Sequence, residues 1–395
     1  MAAKATPDNP VLIVGGGLAG LVAAYELSLR GIPTLIIDQE SRQNLGGQAF
    51  WSLGGLFVVD STEQRRLGIR DNKALAMRDW LGSAQFDRED EDYWPRKWAE
   101  AFVDFAAEKG DDGMEGYVKG LGLGFMFNVG WAERGDGRAE GHGNSVPRFH
   151  LTWGTGPEVV RVFREPVLKA EKEGIIQFRF RHAVDELIVD ETTGRAVGVR
   201  GRTLEETDLP RGVATSRTET GTFELRGAAV VVTSGGIGGN VEAVRAAWPA
   251  RDGQMANPFS KDAQAMLIHN GRAYWADRRS RVAPPHRLLD PKHGPLIAVR
   301  MNLLTRKTLG GIETNLRSNV MKTDGRTPFP GLYAAGEVAG FGGGGVHGYN
   351  SLEGTFLGGC IFSGRAAGRG IAAELLGEDG ILDERLRNRE PASKL

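Results

Sequence analysis

The chain begins its regular pattern with an apolar run, Val11-Leu12-Ile13-Val14, that shows no polar alternation. That is the signature of a short strand buried on both faces. Apolar positions then switch to helical spacing at Leu18, Leu21, Val22, Tyr25, Leu27 and Leu29. This predicts a helix over residues 18–30, with Gly31 where a helix-ending glycine belongs. A second buried strand is expected at residues 34–37, ending at Asp38. Residues 175–200 and 221–233 read as a β-rich subdomain, with residues 203–220 as a polar insertion. Residues 70–110 are charged and aromatic, and residues 93–108 have helical periodicity. Residues 133–145 form a glycine-rich polar loop. Buried strands are again expected at residues 228–233 and 330–335, and a helix from Ser351 or Leu352 to residue 376.

The first junction carries chemistry. Gly15-Gly16-Gly17-Leu18-Ala19-Gly20 fits G-x-G-x-x-G between a strand and a helix. Gly15 permits the tight turn, Gly17 keeps a side chain away from a pyrophosphate, and Gly20 lets the helix approach the strand. The helix start at Leu18 and Ala19 offers free N–H groups and a positive dipole end to phosphates. Asp38, with Gln39 beside it, lies where an acid accepts hydrogen bonds from ribose hydroxyls. This fingerprint alone does not separate FAD from NAD.

Composition narrows the class. The 395 residues include 49 basic and 50 acidic side chains, a net charge of −1. Such a balance gives no electrostatic reason to expect nucleic acid or an anionic membrane as partner. The 57 glycines are clustered, so the backbone turns tightly or meets a ligand closely. Cys360 is the single cysteine, which excludes an intrachain disulfide; inside the last helix it reads as core. The apolar opening is broken by three glycines and reads as strand, loop and helix, not as a signal peptide. No stretch reaches a membrane-spanning length. The terminal Ser393-Lys394-Leu395 is the peroxisomal address in a eukaryote; otherwise a cytoplasmic location is expected.

Three more glycine-rich segments follow: residues 45–55, Thr233-Ser234-Gly235-Gly236, and Gly331-Leu332-Tyr333-Ala334-Ala335-Gly336-Glu337. Together with the fingerprint, they resemble the FAD-binding flavoproteins of the fumarate reductase and succinate dehydrogenase type. The branch with the 3-ketosteroid Δ1-dehydrogenases is the most similar. The resemblance spans residues 11–55, 184–240 and 295–370. It implies an α/β fold: a Rossmann-type FAD-binding domain (parallel sheet with helices on one side and a β-rich insertion) plus a truncated cap domain. The FAD-binding part would be residues 1–240 and 331–395, with a residual cap and substrate domain at 241–330.

By the same resemblance, Gly46, Gly47, Gln48, Ser52, Leu53, Gly54 and Gly55 lie along the flavin. Thr233, Ser234 and Gly235 meet the adenosine side, and Val184 meets adenine through its backbone. Gly336 and Glu337 approach the ribityl chain, and the run 340–348 brings backbone near the ring. Ser351 and Leu352, at the start of the last helix, face the flavin's pyrimidine carbonyl, where a positive dipole end stabilises reduced flavin. The family's covalent members attach FAD through a histidine beside the first stretch. The first histidine here is His142, so dissociable FAD is expected.

Ser351 replaces the arginine with which fumarate reductases clamp a carboxylate, and Thr305-Arg306-Lys307-Thr308 stands where they carry histidine. Both departures argue against a dicarboxylate substrate. The steroid enzymes imply instead that Tyr349 and the Gly354 backbone hold a substrate carbonyl oxygen, raising the acidity of the neighbouring carbon. His347 is the candidate proton carrier. Arg300 and Arg306 are candidates for a polar substrate group, and Tyr117 for the site by analogy. The expected reaction is FAD-dependent oxidation of a CH–CH bond beside a carbonyl in a hydrophobic, steroid-like small molecule. Only residues 241–330 fill the place of a long cap, with residues 248–253 as a shortcut. An oxidase or reductase on another substrate, or a flavin-binding protein with impaired catalysis, are therefore the alternatives. The sequence fixes neither the electron acceptor nor the oligomeric state.

Overall fold

The computed structural model describes residues 5–130, 132–134, 142–240, 243, 292 and 307–377. Residues 248–253, Arg300, Arg306 and the terminal Ser393–Leu395 tripeptide lie outside them.

The chain runs β1 (Val11–Val14), α1 (Leu18–Ser28), β2 (Thr34–Asp38), β3 (Gly55–Phe57), α2 (Thr62–Arg66), α3 (Lys73–Ala84), α4 (Tyr93–Ala107) and α5 (Met114–Gly120). Then come β4 (Phe125–Gly130), β5 (Phe149–Thr152), α6 (Thr155–Lys172), β6 (Ile176–Phe180), β7 (His182–Val189), β8 (Ala196–Leu204) and β9 (Glu219–Arg226). The described residues end with β10 (Ala229–Val232), β11 (Asn319–Met321), β12 (Pro328–Ala334) and α7 (Thr355–Leu376).

Six strands form the main sheet in the order β11-β12-β10-β1-β2-β6. All pairs are parallel except β11–β12. The pleat sorts the apolar run: Val11, Ile13, Ile36 and Val231 face a core built with α1, α6 and α7. Leu12, Leu35, Ile37 and Val230 face the antiparallel meander β7-β8-β9. The expected sheet with helices on one side and a β-rich layer on the other is therefore what forms. β6 and β10 join the main sheet, and the polar insertion narrows to residues 205–218, because Thr203 and Leu204 extend β8.

A third sheet, β3-β5-β4, stands beside this core. Arg148 anchors it. Its guanidinium is fully buried, donating two 2.7 Å hydrogen bonds to Asp71 and one of 2.5 Å to Asp79. Breaking such a pair strands a buried charge, a loss of roughly 3–5 kcal/mol.

Two boundaries shift. β11 and the start of β12 belong to the main sheet, so this layer already includes residues before 331. The last helix begins at Thr355, not at Ser351 or Leu352. Gly354 caps it in a left-handed conformation, φ +86°, and its carbonyl accepts from the Phe57 N–H at 2.9 Å. Residues 351–354 are thus held out of the helix by β3.

Candidate flavin cleft

The first turn has the form its glycines dictate. Gly15 sits at φ +109°, and a Cβ there would collide with the Thr233 backbone. Gly20 backs onto the Gly15 carbonyl so closely that any side chain would push α1 off the strand. A Cβ on Gly17 would meet nothing nearer than the Thr233 carbonyl, 4.0 Å away, so this position opens into empty space. Leu21 makes the first backbone bond of α1, to the Gly17 carbonyl. The N–H groups of Leu18, Ala19 and Gly20 therefore precede the helical ladder, while the Leu18 and Ala19 side chains are buried in the core. Asp38 accepts from the Gly16 N–H at 2.7 Å and the Glu40 N–H at 2.8 Å. Burial pushes its pKa up, against those two bonds. Each oxygen keeps lone-pair capacity for a hydroxyl donor.

Two cavities open here. One, of about 410 Å³, has Gly15, Gly17, Asp38, Gln39, Gly47, Val184, Thr233, Ser234 and Gly235 in its lining. The other, of about 440 Å³, is lined by Ser52, Leu53, Gly54, Gly55 and Gly354 among others. Gln48, Trp51 and Glu337 line both, so the two form one elongated cleft. A long dinucleotide with one end at a glycine turn and the other at the start of α7 fits these residues.

The remaining expected residues lie elsewhere. Gly46 does not line the cleft; it bridges to Gly17 and leaves room for Val160. Gly336 lets Ala19 and Cys360 approach. Leu352 is core, and Ser351 lies outside the lining because α7 starts later. The run 340–348 does not bring a row of glycines to the cleft. Gly342 and Gly343 pack on Trp98, Gly348 packs on Ala84, and only Phe341 of this run lines the cavity.

The catalytic candidates separate. Gly354 lines the flavin-side cavity. Tyr349 is 41% exposed, and its O–H donates to Asp87 at 3.0 Å, away from that lining. His347 is buried among Trp80, Phe341 and Phe356, and neither ring nitrogen has a hydrogen-bond partner among the described residues. Burial, then the Lys307 charge, lowers its pKa to about 3. It is a neutral packing ring, not a proton carrier exposed in the cleft. Tyr117 is spent on Glu26, at 3.0 Å.

Sequence reasoning missed the side chains that do face the flavin-side cavity: Trp51, Phe149, Lys307, Phe341, Glu353 and Phe356. Lys307 Nζ lies 3.2 Å from the Phe356 ring centroid. The Glu353 carboxylate makes no hydrogen bond or ion pair among the described residues; its N–H donates to Glu133 at 3.2 Å. An acid beside Gly354 was a readable signal. Cys360 also lines the wall, and burial pushes its thiol to about 12, so it is protonated. No group of metal-ligating side chains occurs among the described residues, and no described helix is long and apolar enough to cross a membrane.

A doubly layered Rossmann sheet with a continuous cleft running from its glycine turn to a helix start defines a dinucleotide-binding protein. The chain belongs to the FAD binding domain family, whose profile matches residues 10–273 and 263–357. It is 40% identical to a KsdD-like steroid dehydrogenase of Mycobacterium tuberculosis, over 92% of this chain and 96% of the relative. A KsdD-like steroid dehydrogenase of Mycolicibacterium smegmatis is also 40% identical, over 93% and 100%. The first alignment spans 553 positions against 395 residues here, leaving at least 158 positions without a counterpart in this chain. The fold matches the 3-ketosteroid-Δ4-(5α)-dehydrogenase of Rhodococcus jostii RHA1, crystallised with 4-androstene-3,17-dione (TM-score 0.63, 17% identity, 92% of this chain and 96% of that one). It also matches a flavocytochrome c3 fumarate reductase (TM-score 0.61, 18% identity, 93% and 78%). The 40%-identical relatives are mycobacterial, so the peroxisomal reading of the last three residues gains no support from them.

Proposed function

We propose that this protein is an FAD-dependent dehydrogenase that oxidises a CH–CH bond next to the carbonyl of a steroid-like ketone. The carrying observation is the 40% identity to KsdD-like steroid dehydrogenases along nearly the whole chain. An aromatic wall of Trp51, Phe149, Phe341 and Phe356 suits a hydrophobic substrate. FAD supplies the hydride acceptor when bound.

The chain's own residues do the rest. The first-turn N–H groups of α1 and α7 face the two ends of the cleft and stabilise negative charge there. Glu337 spans both cavities, and its Oε1 accepts from the Thr308 N–H at 2.7 Å. That leaves Glu353 as the carboxylate able to take the proton from the carbon beside the carbonyl, with Lys307 supplying positive charge on the same wall. Tyr349, turned to Asp87, takes no part. We take FAD to be held without a covalent bond, because among the described residues no histidine lines the flavin-side cavity. A shortened cap before β11 is part of this reading, supported by the alignment positions that have no counterpart here. With mycobacterial relatives, a bacterial cytoplasm is the location we carry forward.

Anaerobic mixing of the yellow protein with 4-androstene-3,17-dione and its saturated 3-keto analogues tests this. Bleaching of the long-wavelength flavin band is expected with at least one of them. Bound flavin that stays oxidised with every 3-ketosteroid offered would overturn the reading, and favour a flavin-binding protein whose reduced cap has impaired catalysis.

A further inference from the structure

We propose that Arg211, carried on the insertion at residues 205–218, is the cation that recognises the diphosphate of the bound dinucleotide. This rests on the FAD reading of the cleft. The insertion folds back on the loop after β2. Buried Arg181 donates to the Glu205 carbonyl at 2.8 Å, the Ser216 carbonyl at 2.5 Å and the Gln39 carbonyl at 2.7 Å. Thr215 donates to Glu40 at 2.7 Å, and Arg217 pairs with the same carboxylate at 2.5 Å. Both ends of the strap are thereby tied beside Asp38.

In its middle, the Arg211 guanidinium lies 4.0 Å from the Phe50 ring centroid. It donates to the Leu45 carbonyl at 2.7 Å and the Asn44 carbonyl at 3.3 Å. A guanidinium carries five N–H donors in a rigid fork; these contacts orient the group and leave donors over. Arg211 lines the cavity that also contains Gly15, Gly17 and Gly47, where backbone amides approach without side chains. No carboxylate pairs with it among the described residues. Burial, and then the neighbouring guanidinium of Arg164, lower the pKa of Arg211, and the Arg164 Nε is buried with no hydrogen-bond partner among the described residues. Two cations brought together without an acid between them are costly, and an anion offsets that cost. The other charged groups in the lining, Asp38, Glu40 and Glu337, are acids, so the diphosphate needs this cation against them.

The test uses full-length apoprotein, titrated with FAD and, in competition, with ADP and adenosine, which share every group except the diphosphate. R211A is expected to weaken FAD and ADP at least tenfold (a change well above the error of such titrations), leave adenosine unchanged, and flatten the salt dependence of ADP binding. T215A loosens the same end of the strap, where Thr215 donates to Glu40 and accepts from Arg181, without removing a charge, and is expected to weaken ADP far less. Equal losses of ADP and adenosine in R211A, or a T215A loss as large as that of R211A, would show that folding of the strap matters and not the charge. Unchanged FAD affinity in R211A overturns the proposal. Wild-type protein that binds neither FAD nor ADP would overturn the FAD reading itself.

Discussion

Glu353 and Tyr349 stand four positions apart and face opposite surroundings, one a cavity and the other Asp87 on the surface. Their variants should therefore differ. E353Q keeps the shape and loses the base, so the rate of flavin reduction by steroid in stopped flow should fall by about 10²–10⁴-fold with FAD content unchanged. Y349F removes only a solvent-exposed hydrogen bond to Asp87, and should reduce flavin at nearly the wild-type rate. An equal loss in both would return the tyrosine to the chemistry. His347 bears on stability instead. In the unfolded chain its ring takes up a proton as pH falls through about 6.5, whereas in the folded protein it resists until about 3. Between those values the unfolded state binds more protons, so acidification favours unfolding. Glu133 acts in the opposite sense: burial raises its pKa from 4.5 to about 7, so its contribution is lost as pH rises through that window. H347L removes the first effect alone. Its melting temperature should drop less between pH 7 and pH 5 than that of the wild type, and an unchanged slope would show that the ring is not buried neutral.

Among the elements, α7 packs closely on α1 at two glycines. Gly364 lies against the Ala19 backbone and Val22, and Gly368 against Ala23 and Glu26. Neither glycine is there for its dihedral freedom; each is there because a side chain would separate the helices. G364V should destabilise by roughly 1–3 kcal/mol through overpacking, and should loosen FAD, because α1 and α7 present their N-termini to the two ends of the cleft. Thermal melts and FAD retention on desalting measure both effects. This pairing also shows what could be read in the sequence. The apolar run at β1, the G-x-G-x-x-G turn and Asp38 are governed by local rules, and all three stand where those rules put them. The start of α7 was misread because Leu352 continues the apolar spacing, while the left-handed turn at Gly354 is imposed by a hydrogen bond from Phe57, distant in sequence. Which glycines face ligand and which face tryptophan was equally unreadable in the run 340–348. Trp98 makes that choice from α4, with its indole N–H on the Thr314 carbonyl at 3.0 Å. The strap at residues 205–218 looked like any polar loop, because its ties to Gln39 and Glu40 are nonlocal.

At the scale of the whole molecule, the cleft joins three layers: the Rossmann sheet, the meander bearing Val184 and Arg211, and the β3-β5-β4 sheet bearing Gly55 and Phe149. A ligand touching all three binds the folded state and not the unfolded chain, so it stabilises by RT ln(1 + [L]/Kd), about 2.7 kcal/mol at a hundredfold excess over Kd. If FAD is dissociable, that contribution is removable. Stripping the cofactor should lower the melting temperature by a few degrees, and added FAD should restore it in a concentration-dependent way. Acid precipitation should leave the yellow colour in the supernatant. A covalent link would instead leave colour in the pellet and a melting temperature indifferent to added FAD. These outcomes separate a cofactor that serves as a noncovalent clamp between layers from one built into the chain, and they do so whatever the substrate proves to be.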